Sequence, residues 1–162
     1  MKKLSLIVFA VLTITSAAFS QVEKGDFNIS GSLSFSKYQD VDGMGQFDAK
    51  GGYYVTQNIE VGATALILAS GGETGVGIGP YGAYNFLTQD AKLLPYVGAN
   101  LFLFSLGDIS LNSVGVNGGA KYFITEAINV DAGISIQQSF GDLDGSLFTA
   151  RVGIGFILGK VK

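Results

Sequence analysis

The chain has 162 residues, with 10 Lys and Arg against 13 Asp and Glu, a formal net charge of −3. It has no Cys, His or Trp, which rules out a disulfide-stapled scaffold, every Ser–His or Cys–His nucleophile pair and every His-ligated metal site. Hydrophobic residues make up 48% but charged ones only 14%, against about a quarter in soluble domains, and 24 residues are glycine.

The first twenty residues have the layout of a secretory signal peptide. Lys2 and Lys3 precede an apolar run, Leu4–Ile14, and small residues lead to Ala18–Phe19–Ser20. The run is too short for a membrane-spanning helix, which needs about 20 apolar residues. Cleavage is expected between Ser20 and Gln21, leaving residues 21–162 as one domain with 8 basic and 13 acidic side chains. An acidic chain without basic runs is not a nucleic-acid partner.

From there the chain alternates. The first predicted strand sets Phe27, Ile29, Leu33 and Phe35 on one face and Asn28, Ser30, Ser32, Ser34 and Ser36 on the other. After a loop over Gln39–Gly45, the second sets Phe47, Ala49, Tyr53 and Val55 against Asp48, Lys50 and Tyr54. The third, from Ile59 to Ile67, sets its aliphatics against Glu60, Gly62 and Thr64. A loop over Ser70–Gly75 leads to a fourth strand whose two faces are not distinct. Pro80 lacks the ladder donor, so that strand is expected to begin at Pro80 or to bulge there.

The fifth strand begins at Pro95 and carries Val97, Ala99, Leu101 and Leu103 on its apolar face, with Phe102 and Phe104 opposite. Beyond a loop at Ser105–Asn112, the stretch Gly118–Ser135 forms a hairpin. Ala120, Tyr122, Ile124, Ile128, Val130, Ala132 and Ile134 share one parity, and Lys121, Phe123, Asn129 and Asp131 the other. After Gly141–Ser146 an eighth strand sets Phe148, Ala150, Val152, Ile154 and Phe156 against Thr149, Arg151, Gly153 and Gly155. Three corners share a sequence pattern, YVTQN at Tyr54–Asn58, FLTQD at Phe86–Asp90 and FITEA at Phe123–Ala127. In an up-and-down meander all three fall at one end. Aromatics gather beside them, and Tyr53, Tyr96 and Tyr122 are expected to form an interfacial girdle.

Eight alternating strands close into a barrel of one of two senses. With the aliphatic face inside, the exterior would be Ser, Gly, Asn and Thr with few charges, a poor surface for solution. With it outside, against lipid, the polar face becomes a small lumen holding Asp48, Lys50, Glu60, Lys121, Asp131 and Arg151. Three acids then balance three bases, as burial demands. The expected fold is therefore all-β, an eight-stranded antiparallel up-and-down transmembrane barrel in the outer membrane of a Gram-negative-type bacterium. A corner centred on Glu126 puts Lys121 opposite Asp131, close enough to pair, with Arg151 as a third partner and Glu60 across the lumen.

The corner VNGGAKYFITEAINVDAGISIQ (Val116–Gln137), the signal peptide, the eight strands and the charged lumen resemble the OmpA/OmpX-type outer-membrane barrels. The resemblance implies an ion-pair cluster across the interior. Lys121 and Asp131 match two of its positions with signs inverted, and Glu60 and Arg151 match more loosely. It also implies outer-membrane lipids and the barrel-insertion machinery as partners, with Phe156 nearest to the C-terminal aromatic shown to that machinery. The chain is expected to depart from the pattern in lacking a periplasmic peptidoglycan-binding domain and in the run Gly159–Lys162 after the last aromatic.

The expected function is that of a non-enzymatic, monomeric outer-membrane barrel without cofactor or metal, structural or envelope-stabilising, with a side-chain-filled lumen. A small porin-like diffusion channel is the alternative, and adhesion through the loops a further one. The acids Asp40, Asp42, Glu73, Asp108, Asp142 and Asp144 cluster in those loops. Asp40-x-Asp42-Gly43 and Asp142-x-Asp144-Gly145 are only fragments of calcium loops.

Overall fold

A computed structural model describes residues 22–38, 44–70, 73–106, 109–141 and 145–159. The signal segment with Ser20 and Gln21 lies outside the described residues, as do Asp40, Asp42, Asp108, Asp142 and Asp144. Eight strands follow one another: β1 (Phe27–Tyr38), β2 (Met44–Tyr54), β3 (Ile59–Ser70), β4 (Glu73–Asn85), β5 (Leu93–Leu106), β6 (Ile109–Phe123), β7 (Ile128–Gly141) and β8 (Gly145–Leu158). Each pairs antiparallel with the next, and β8 pairs with β1, so the sheet closes. Closure satisfies every strand edge, which a sheet in lipid requires.

Register sets the barrel's shape. Following paired residues once around, from Phe27 through Tyr53, Val61, Gly82, Ala99, Val116, Ile136 and Phe148, returns to β1 at Lys37, ten residues further on. For eight strands at the usual rise and spacing, that stagger corresponds to a tilt of about 40°. At that tilt β2, the shortest strand with 11 residues, covers about 27 Å along the axis, enough for the apolar band of an outer-membrane barrel.

The two faces are inverted relative to a soluble barrel. Leu33 is 69% exposed, Val116 63% and Ile124 60%, whereas Ser32, Asp48, Glu60, Thr64, Lys121 and Asp131 are buried. Outside β4, whose faces the alternation does not distinguish, the inner faces are as predicted, including Phe102, which is buried on the lumen side of β5.

The structure differs from expectation at three places. β4 neither starts at Pro80 nor bulges there. It runs unbroken from Glu73, with Pro80 exposed on the lipid side. The β3 pairing continues through Ala63↔Pro80, while the β5 pairing passes from Ile78↔Leu103 to Tyr81↔Asn100 in one register. Losing one donor interrupts a ladder without shifting it, because neighbouring pairs hold the register. Gly79 lets the two backbones come close there, since a Cβ on it would overlap the Leu101 carbonyl oxygen. Second, the strands reach past the expected loop edges, to Ser70, Leu106 and Gly141 on one side and from Met44, Glu73, Ile109 and Gly145 on the other. Backbone ladders propagate where side-chain alternation has already faded. Third, Tyr96 belongs to the lumen and is only 4% exposed, whereas Tyr53 and Tyr122 are exposed, at 41% and 48%. Tyr96 lies between Pro95 and Val97 on β5, so strand parity turns it inward.

The shared corner sequence has a physical role. Thr56 Oγ1 accepts from the Asn58 and Ile59 amides (3.2 and 3.0 Å), and Thr125 Oγ1 from those of Ala127 and Ile128 (3.3 and 3.0 Å). The threonine hydroxyl thus satisfies turn amides that no strand partner reaches. The Thr88 hydroxyl instead lies within reach of the carbonyls of Asp90 and Leu93 (2.8 and 2.7 Å), which share its single proton.

Replacing Val116, at the middle of β6 on the lipid face, with Arg should lower the free energy of unfolding by about 2–4 kcal/mol, the cost of a cation at bilayer mid-depth. Urea titration of protein folded in lipid vesicles measures it. An unchanged midpoint would contradict the outward placement of this face.

Candidate functional site

The lumen is crossed at one level by a layer to which every strand contributes a side chain. Asn28 comes from β1, Tyr54 from β2, Glu60 from β3, Tyr81 from β4, Tyr96 from β5, Lys121 from β6, Asp131 from β7 and Arg151 from β8. Glu60 is 1% exposed and lies at its centre. Its Oε2 receives Lys121 Nζ at 2.5 Å, and its Oε1 receives Asn28 Nδ2 at 2.8 Å and Tyr81 Oη at 2.6 Å. Lys121 Nζ also donates to Tyr54 Oη at 2.8 Å and lies 5.3 and 5.6 Å from the ring centres of Tyr54 and Tyr96. Three donors on one carboxylate, with aromatic faces beside the ammonium, replace the water that burial removes.

A second unit adjoins the first. Tyr96 Oη accepts from Arg151 Nη2 at 2.6 Å and donates to Asp131 Oδ1 at 2.8 Å, while Arg151 Nη2 and Asp131 Oδ2 stand 3.9 Å apart. The tyrosine hydroxyl therefore joins a base to an acid that barely touch directly.

Lys121 and Asp131 are cross-strand partners, as the corner centred on Glu126 requires, but they do not form the pair the alternation suggests. Lys121 reaches across the lumen to Glu60, and Asp131 pairs instead with Tyr96 and Arg151. Each charge thereby takes the partner that also brings hydrogen bonds. On β2, Lys50 borders this layer on its loop side and Asp48 is the next inward position toward the loops. Asp48 accepts from Ser34 Oγ (2.5 Å) and Gln46 Nε2 (3.1 Å), and Lys50 Nζ lies 5.5 Å from the Tyr81 ring centre.

Space for the tyrosines comes from glycine. A Cβ on Gly52 would collide with the Tyr81 hydroxyl and Glu60, and one on Gly119 or Gly133 would collide with the Tyr96 hydroxyl. Alternation of large and small inner residues fills a narrow barrel without overlap. Asn28 and Tyr54 are legible as inward positions, whereas Tyr81 is not, because the two faces of the fourth strand are not distinct in the sequence; none of the three is legible as a partner of the Glu60–Lys121 pair.

Below the layer, at the end with the tight corners, an apolar cap closes the lumen. Val22, Tyr54, Leu94, Phe123 and Ile157 are buried together with Leu87 against them. Residues 22–26 fold across the opening. Gly25 donates to the Tyr54 carbonyl at 2.8 Å, and Tyr54 N donates to the Asp26 carbonyl at 2.9 Å. Alternation along strands carries no signal for this segment. Among the described residues no group of three or more Asp and Glu is placed to hold a metal ion.

A closed eight-stranded barrel with an apolar exterior and a charge-balanced interior defines an integral outer-membrane protein. The chain belongs to the outer membrane protein beta-barrel domain family, whose model matches residues 6–156. It is similar in fold to the N-terminal β-barrel domain of Pseudomonas aeruginosa OprF, with a TM-score of 0.64 at 22% identity, covering 81% of this chain and 97% of that one. Neisserial surface protein A matches with a TM-score of 0.64 at 16% identity over 84% and 97%. Ail, the attachment invasion locus protein of Yersinia pestis, matches with 0.55 at 17% over 85% and 100%. No curated protein sequence matches the chain.

Lys121→Met should lower the unfolding free energy by about 3–5 kcal/mol, because it leaves Glu60 buried without its cation. Adding Glu60→Gln to the same chain should recover most of that loss. Urea unfolding of the single and double variants in vesicles reads both values, and an undiminished loss in the double variant would contradict the pairing.

Proposed function

We propose that this outer-membrane barrel is a structural, envelope-stabilising protein that neither conducts solutes steadily nor catalyses a reaction. The observation that carries the reading is the eight-strand layer centred on Glu60, backed by the apolar cap on Val22, Leu94 and Phe123. An eight-stranded barrel has room for its side chains and little else. Here those side chains bond to one another across the full width. A solute path through this level would have to break buried ion pairs and pass an apolar constriction.

The absence of His from the chain removes the usual base for a hydrolytic nucleophile. The barrel acts as a monomer held by outer-membrane lipids, and its insertion machinery would meet β8, where Phe156 is 48% exposed on the lipid side two residues before the strand ends.

Planar-bilayer recording tests the closed lumen. Purified protein should give no steady conductance, whereas Lys121→Met combined with Val22→Asp should give channel events. Steady conductance by the unmodified protein would establish the small diffusion channel instead. Deleting the gene should increase vesicle shedding and detergent sensitivity of the producing cells; an unaltered envelope would refute the stabilising role.

A further inference from the structure

We infer that the lumen holds a binding site for one small monatomic anion, such as chloride, on the loop side of the Glu60 layer. A cavity of about 30 Å³ lies there, with Lys50, Asn100, Arg151, Ser135, Thr149 and Asp48 among its walls. Space of that size takes about two waters or a single halide and is too small for phosphate or sulfate.

The wall groups are rich in donors. Lys50 brings a terminal amine, a donor of N–H groups, and among the described residues it has no carboxylate within ion-pair distance. Asn100 is 7% exposed, and its Nδ2 has no protein partner. Its Oδ1 is already occupied by Asn117 Nδ2 at 3.2 Å. Arg151 Nε is likewise buried without a partner, while Nη2 of the same guanidinium serves Tyr96.

Several of the wall acceptors already have protein partners. Asp48 accepts from Ser34 Oγ on Oδ2 and from Gln46 Nε2 on Oδ1, Gln137 Oε1 accepts from Ser113 Oγ at 3.2 Å, and Thr149 Oγ1 is hydrogen-bonded to Ser36 Oγ at 2.9 Å. Donors without a protein partner thus come to this space from three strands. A water has two lone pairs and can accept from at most two of them, whereas a spherical anion accepts from all three at once. The nearby carboxylate of Asp48 opposes the anion and sets the limit on its affinity. The site is separate from the Glu60–Lys121 pair and does not depend on whether that layer blocks conduction.

The test uses the full-length folded protein in nonionic detergent. The midpoint of heat-modified gel mobility is measured in sodium chloride, bromide and gluconate at equal ionic strength, together with ³⁵Cl NMR line broadening. The wild type should show a higher midpoint in chloride and bromide than in gluconate, saturating with concentration, and a broadened chloride line. Lys50→Met should abolish both effects, and Asp48→Asn should enlarge them. Equal midpoints in chloride and gluconate with an unbroadened line would overturn the site and leave the cavity to water. A chloride effect that survives Lys50→Met, or one that Asp48→Asn leaves the same or weakens, would overturn it as well. Should Lys50→Met not fold, the wild-type line broadening and the Asp48→Asn comparison decide the question.

Discussion

The constraint on which the rest of the structure depends is the burial of Glu60. A carboxylate at 1% exposure inside a membrane protein is tolerable only if charge and hydrogen bonds surround it. Lys121, Asn28 and Tyr81 supply them from three different strands, and Tyr54 steadies the lysine from a fourth. That geometry requires the barrel to be closed at one particular stagger. Slipping any strand by one residue would turn its inner side chains out to lipid. The polar centre therefore selects the register as firmly as the apolar exterior does, and the glycines at 52, 119 and 133 follow from it as the room its tyrosines need.

The barrel is divided along its axis. At the corner end the lumen is apolar, with Val22, Leu94, Phe123 and Ile157 packed under the folded-back residues 22–26. The charged layer sits on this cap, shielded from water below. Toward the loops the lumen becomes polar and holds small cavities, with Asp48, Lys50, Asn100 and Gln137 on its walls. A dry floor strengthens the ion pairs above it, since electrostatic attraction grows as the local dielectric falls. The same floor explains how so narrow a protein, with few aliphatics inside, still has a compact hydrophobic cluster.

Much of this was legible in the residues. Alternation along β1, β3, β7 and β8 marks the lipid face, and the scarcity of charge decides that this face points outward. The six lumen charges all fall on the inner parity. Legibility failed where local pattern and spatial role part. Tyr96 looks like an interfacial aromatic beside a corner, yet parity turns it inward, where it joins Asp131 to Arg151. Pro80 looks like a strand break, yet one missing donor is absorbed by a register held on both sides. Residues 22–26 precede the first alternating run and carry no periodic signal.

The barrel class, the sense of its faces and the set of charged lumen residues are written along the chain, because a period of two and a count of charges are local properties. Closure and stagger alone decided who pairs with whom. Lys121 faces Asp131 along the ladder but bonds Glu60 across the lumen, at a separation of 61 residues. Such a contact exists only once eight strands have closed at a shear of ten. No pattern along the chain encodes a distance measured across the barrel's interior.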